Sequence, residues 1–227
     1  MRGFILDIEF WGKYALFTKP YTKAHPVSYD VITPSAAKGM LDNIYRHPGI
    51  NWVPLKIRVC NASTFDDIGR QKVSMVRNET KDVIKEKDIV ERGYLNTSTN
   101  QIRRRCTYLY DVRYVITAKI EIDDEAAEKG YQIDKVYAIV MDRLKREACK
   151  EPPFFGRREC SAHFRLCTDI PECPEGLKGS YSLGKMFYGF DYSDPAMPSL
   201  FYEPILTNGV INIPSVETVK NLEYNAQ

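Results

Sequence analysis

The sequence predicts an α+β fold, and three observations predict it. Apolar and polar residues alternate along four separate runs, the period-two pattern of half-buried strands. Two further runs repeat their apolar residues every three and four positions, as amphipathic helices do. The chain has 227 residues, 44% hydrophobic and 27% charged. That suffices for one large domain with a core and is too apolar for a disordered chain.

The elements follow in order. Phe4, Leu6, Ile8 and Phe10 alternate against Ile5, Asp7, Glu9 and Trp11 as a first strand. A loop rich in Pro, Lys and Tyr leads to Thr33-Pro34, a hydroxyl cap followed by proline, which opens a helix. Ala37, Met40, Leu41 and Ile44 form its buried stripe, and Pro48-Gly49 is expected to stop it. Val53, Leu55, Ile57 and Val59 then alternate against Lys56 and Arg58 as a second strand.

Residues 61–105 are polar and weakly periodic and read as an insertion, with a charged stretch from Lys81 to Arg92 and a polar loop from Tyr94 to Gln101. A long strand follows in the alternation from Tyr108 to Ile122. Asp134 is expected to cap a second helix with the stripe Tyr137, Val140, Met141, Leu144 and Ala148. Cys160, Ala162, Phe164 and Leu166 alternate as the last main strand.

The order is β-α-β-(insertion)-β-α-β, the split βαβ or ferredoxin-like (RRM-like) arrangement. Residues 1–170 are therefore expected to form this domain. Residues 171–227, with strand-like runs at Lys185–Phe190 and Gly209–Ile213, are expected to form a small β appendage.

Composition narrows the function classes. No run reaches the ~18 apolar residues of a membrane span, and Met1-Arg2-Gly3-Phe4 leads straight into the first strand without a signal-peptide core. A cytoplasmic protein without a membrane partner is expected. From Arg70 to Arg105 ten Lys/Arg face five Asp/Glu, and from Lys135 to Arg165 eight face four. From Leu166 onward three face eight. Two basic blocks and an acidic end point to one face for a polyanion.

The six cysteines include no C-x-x-C pair. Cys160, His163, Cys167 and Cys173 are residue types that zinc accepts, but their spacing fits no standard knuckle, and Cys160 falls in phase with a strand's apolar face. Buried reduced cysteines are the expectation, and no metal or other cofactor is expected. Asp7 and Glu9 share one face of the first strand and are expected to pair with arginine rather than hold a metal.

No dinucleotide, P-loop, nucleophile-elbow or zinc-protease motif occurs. Arginine clusters stand out instead: Arg77; Arg103, Arg104 and Arg105; and Arg157 with Arg158. A guanidinium presents a planar fork to two phosphate oxygens, so these are the expected phosphate contacts.

A resemblance sharpens this reading. The runs Tyr14–Pro20 and Val27–Pro48, with Arg77-Asn-Glu79, Tyr108–Val115, Phe155–Cys160 and Leu183–Phe187 in the same order, resemble the CRISPR-associated Cas5 family. The likeness is to its subtype I-C (d or Dvulg-type) variant, over nearly the whole chain. It implies a metal-independent endoribonuclease that cuts CRISPR repeat RNA at the 3′ side of its hairpin. It also implies that the subunit stays on the 5′ tag of the mature guide RNA within Cascade, beside the backbone filament and large subunits. The alternative is a non-catalytic subunit that only holds the tag.

The family's I-Y-x-x-P tyrosine falls on Tyr45, and its lysine on Lys135. The adjacent histidine position holds Val136, which neither donates to phosphate nor takes a proton; His47 is the candidate to take over part of that role.

The chemistry asks for such groups. RNA cleavage without a metal needs the 2′-hydroxyl deprotonated, the phosphorane charge stabilised and the 5′-oxygen protonated. Tyr45 is expected to take the first role, helped by the neighbouring cations Arg46 and His47, because a phenol with a pKa of about 10 is otherwise a weak base at neutral pH. Lys135, at a helix N-terminus that favours anions, is expected to stabilise the phosphorane or protonate the leaving oxygen.

Overall fold

A computed structural model describes residues 3–22, 24–61, 72–80 and 101–224. The elements run β1 (Gly3–Ala15), α1 (Pro34–Ile44), β2 (Ile50–Val59), β3 (Lys72–Thr80), β4 (Gln101–Ile122), α2 (Asp124–Glu128), α3 (Ile133–Lys145) and β5 (His163–Leu166). Five short strands follow: β6 (Ser180–Ser182), β7 (Met186–Phe190), β8 (Ser199–Tyr202), β9 (Ile205–Thr207) and β10 (Val210–Asn212). Helix α4 (Val216–Tyr224) ends the described chain.

Strand β4 organises the antiparallel sheet. It pairs with β1 from Gly3↔Glu121 to Ala15↔Leu109 and with β2 from Ile50↔Ile122 to Val59↔Tyr114. Beyond them its first half pairs with β3, Lys72↔Leu109 to Thr80↔Gln101. With β5 outside β1, the order is β5-β1-β4-β2, and it continues through β10, β9 and β6. The C-terminal strands thus extend the same sheet, while β7 and β8 form a separate ribbon.

Alternation along β4 carries the core. Val112, Tyr114, Ile116, Ala118 and Ile120 point to one side and are buried, as are Ile8 and Phe10 of β1 beside them. Helices α1 and α3 cover that side, through Met40, Leu41 and Ile44 from one and Val136, Val140 and Leu144 from the other. The β1 and β4 patterns match the sequence expectation.

Four local expectations need correction. In β2 the register shifts between Pro54 and Lys56, so Leu55 is an extra residue. Trp52 and Ile57 are then both buried, rather than Val53 and Leu55 in strict alternation with Ile57. Proline has no N–H to give the ladder, which is why the strand bulges there. Helix α1 stops at Ile44, before Pro48-Gly49, because Tyr45 adopts extended dihedrals. Asp134 is not the cap of α3; the cap position is Gln132, with no side-chain hydrogen bond. The buried stripe of α3 starts at Val136 rather than Tyr137, which is exposed and meets the Phe4 ring edge-on at 4.9 Å.

Thr33 caps α1 as expected, its hydroxyl accepting from the Ala36 N–H at 3.2 Å. Helix α2 is additional to the expected elements, and Asp123 caps it by accepting from the Ala126 N–H at 2.7 Å. In the region read as an insertion, residues 72–80 and 101–105 are paired strand. Lys81 to Arg92, and Tyr94 up to residue 100, lie outside the described residues.

Leu41 is fully buried between α1 and the sheet. Leu41→Ala is expected to lower the unfolding free energy by roughly 2–5 kcal/mol through lost transfer and a cavity. The exposed Lys38→Ala should stay within about 0.5 kcal/mol. Urea titrations followed by circular dichroism separate the two, and a Leu41→Ala effect as small as that of Lys38→Ala would mean that α1 is not docked.

Candidate active site

The end of α1 is held from two sides. Tyr45 donates its N–H to the Leu41 carbonyl at 3.2 Å, and its own carbonyl accepts from the Trp52 indole Nε1 at 2.8 Å. From α3, Arg143 donates Nη1 to the Ile44 carbonyl at 2.5 Å and lays its guanidinium over the Tyr45 ring, 5.0 Å from the centroid. One cation thereby satisfies an orphan helix carbonyl and fixes the tyrosine ring.

The residue that follows α1 also borders a space shared with the first turn of α3. Tyr45, His47, Tyr131 and Lys135 line one open cavity of about 440 Å³, with Lys129 and the Val136 side chain also in its wall. The three catalytic candidates named from the sequence therefore share one site. None of the six arginine candidates lines it; its cations are Lys129 and Lys135.

Tyr45 is only 8% exposed. Burial raises its hydroxyl above the ordinary value of 10, and the Arg143 guanidinium opposes the rise only in part, while Tyr131 adds to it. The expectation that Arg46 and His47 would lower it is thus overturned. Arg46 points to solvent, and the cation that acts on the phenol comes from α3.

His47 Nδ1 lies 2.9 Å from the Pro48 carbonyl. A carbonyl only accepts, so Nδ1 is the donor in that contact. Nε2 faces the Tyr131 hydroxyl at 3.5 Å, across rings whose centroids are 5.0 Å apart. Val136, at the position where the resemblance implies histidine, is 3% exposed and belongs to the core stripe of α3.

Sequence reasoning missed Tyr131 and Arg143. Arg143 lies in the last turn of α3, where cations are common for the helix dipole alone, so nothing marked it. Tyr131 follows Gly130, whose φ of +85° turns the chain between α2 and α3 and brings the tyrosine against His47.

The arginine candidates fall in two other places. Arg104 and Arg105 lie on the β3–β4 ribbon, where Arg77 pairs in register with Arg104, and Arg103 with Asn78. Arg157 lines a separate cavity of about 440 Å³ with Phe17, Thr33 and Met40, and Arg158 is exposed beside it.

Glu9 is buried and ion-paired with both Arg113 and Arg165, as expected of an acid on this face. Asp7 differs, accepting from the Thr117 hydroxyl at 2.5 Å. Among the described residues no three His, Cys, Asp or Glu side chains gather as metal ligands, and all six cysteines are free thiols. Cys60 is half-buried, and the loss of water pushes its thiol up to about 11. No helix among the described residues is long and apolar enough to cross a membrane.

Comparison with known proteins bears on this geometry. The family model of the CRISPR-associated protein (Cas_Cas5), Cas5d type, matches residues 5–214. The CRISPR pre-crRNA endoribonuclease Cas5d of Mannheimia succiniciproducens is 34% identical over 219 residues, covering 92% of this chain and 94% of the relative. The protein of the same name from Thermus thermophilus is 28% identical over 199 residues, 87% of this chain and 79% of the relative. A crystal structure of a CRISPR-associated protein superposes with a TM-score of 0.67 at 22% identity, over 95% of this chain and 94% of the other, and so shares the fold. With the model matching most of its length and one such relative above 30% identity, this chain belongs to the CRISPR-associated Cas5 family, of the Cas5d type.

Proposed function

We propose that this chain is a metal-independent endoribonuclease that cuts CRISPR repeat RNA and then remains on the 5′ tag of the guide RNA as a subunit of a subtype I-C Cascade in the cytoplasm. The observation that carries the reading is the shared cavity of Tyr45, His47 and Lys135. The strand order β5-β1-β4-β2 with helices α1 and α3 supports a ferredoxin-like core. Residues 1–170 form the RNA-binding unit and 171–227 an appendage that lengthens its sheet.

In this reading the scissile phosphate sits between the two helix ends. Tyr45 takes the 2′-hydroxyl proton as that oxygen attacks phosphorus and the 5′-oxygen departs. The Lys135 ammonium meets the charge that develops on the phosphorane or protonates the leaving oxygen. His47 relays a proton with Tyr131, the part Val136 cannot play. The products are a 2′,3′-cyclic phosphate and a 5′-hydroxyl. Arg77, Arg103, Arg104, Arg105, Arg157 and Arg158 grip the flanking phosphates, and the backbone filament and large subunits are the protein partners.

Val136 and the raised Tyr45 hydroxyl favour one rival, a subunit that holds the tag without cutting. Incubation of purified protein with its cognate repeat RNA in EDTA decides between them. Cleavage is expected, reduced by roughly 10²–10⁴-fold in Tyr45→Phe and by about 10²–10³-fold in Lys135→Ala, with RNA still bound. Tight binding without a cut in the unaltered protein would establish the holder instead.

The raised hydroxyl also sets a pH dependence. Because its ionisation lies above 10, the phenolate fraction grows about tenfold per pH unit throughout the neutral range. Single-turnover cleavage should therefore rise with unit slope from pH 6 to 9. Arg143→Ala, which removes the cation opposing burial, should lower the rate at every pH. A plateau in the unaltered protein near pH 7 would assign the base to another group.

A further inference from the structure

The face of the sheet turned away from α1 and α3 carries a cluster that the cleavage chemistry does not use. Trp11 of β1 stacks on His163 of β5, with centroids 5.7 Å apart and ring planes 25° from parallel. The Arg165 guanidinium lies 5.3 Å from the Trp11 ring centroid. On either side of β1, Arg113 from β4 and Arg165 from β5 each commit Nε to one oxygen of Glu9. The Glu9 side chain is 3% exposed, while those of Arg113 and Arg165 are 42% and 55% exposed.

The charges on this cluster do not balance. Within this ion-paired trio one buried carboxylate anchors two guanidiniums, so one positive charge is left over, held in a fixed orientation beside an aromatic pair. Lys13 and Arg58 lie on the same face, Arg58 opposite Val115 in the register. Asp7, two positions before Glu9 on β1, keeps its own charge while accepting from the Thr117 hydroxyl. Ile5, two positions before Asp7 on this face, is 57% exposed, so no other part of the described chain covers that end of β1.

An aromatic platform bordered by oriented guanidiniums is the chemistry that takes an unpaired base and its phosphates. A duplex offers no base face for stacking, and a protein segment does not need a platform of this kind beside excess cations. We propose that Trp11, His163, Arg113 and Arg165 form a second RNA-binding platform for a single-stranded segment, with a base on the ring pair and phosphates on the guanidiniums. The proposal rests on the chain being an RNA-binding protein but not on its cutting RNA.

Tryptophan fluorescence of the whole protein tests it, because the chain has two tryptophans and Trp52 is sealed in the core. Titration with a uridine decamer in EDTA is expected to quench the emission. Trp11→Leu should weaken binding by roughly fivefold to a hundredfold. Arg165→Gln should reduce the slope of log K against log salt by about 0.7.

Trp11→Phe keeps a ring for packing and stacking, so it should bind nearly as well yet lose the quench, and it decides the matter if the leucine variant does not fold. Quenching that persists in Trp11→Phe, unchanged affinity in Trp11→Leu, or displacement of nothing but an acidic peptide would each overturn the platform. Cutting of repeat RNA without a quench removes this proposal alone. A quench without cutting removes the nuclease alone.

Discussion

The backbone pairing of β4 with β1 and β2 is the constraint on which the rest of the molecule depends. It is long enough to serve both neighbours at once and to continue past them into the ribbon with β3. A one-residue slip in either ladder would turn its buried row of Val112, Tyr114, Ile116, Ala118 and Ile120 to solvent, so burial enforces the register. With the register held, α1 and α3 have one side of the sheet on which to pack, and Arg143 of α3 reaches the end of α1 there. The site at Tyr45 and Lys135 is therefore a consequence of sheet pairing between residues far apart in sequence.

At that site two physical effects oppose each other, and burial wins. Packing Tyr45 under Arg143 gives the ring a fixed position, but removes the water that would stabilise a phenolate. The guanidinium returns part of that stabilisation. The same arginine joins the two helices by meeting the Ile44 carbonyl, so position and electrostatics cannot be tuned separately there. Of the two lysines in the cavity wall, Lys129 is paired with Glu125, so in the proposed reading Lys135 is the cation that meets a phosphate.

The two sides of the sheet divide the chemistry. The helix side is mostly apolar and sets geometry. The opposite side keeps charges close to the strands, with Glu9 buried beneath Arg113 and Arg165. Lone burial of a carboxylate would be strongly unfavourable, so the two arginines are as much a condition for Glu9 as Glu9 is for their orientation.

By itself the sequence determined the strands and helices whose signal is local. Period-two alternation located β1 and β4, and Thr33-Pro34 located the start of α1, because side-chain direction and capping depend on neighbours within a few residues. Tyr45 and Lys135 came from the family resemblance, and His47 as the candidate to take over part of the role of the histidine that Val136 replaces. What only the tertiary structure decided depends on distant partners. The bulge at Leu55 comes from proline within a particular ladder, the rotation of α3 onto Val136 from the surface it meets, and the Arg143 clamp from a contact across 99 positions. The direction of the Tyr45 shift belongs to the same class. Neighbours in sequence offered cations, but the hydroxyl responds to what surrounds it in space, and there the loss of water outweighs the nearest charge.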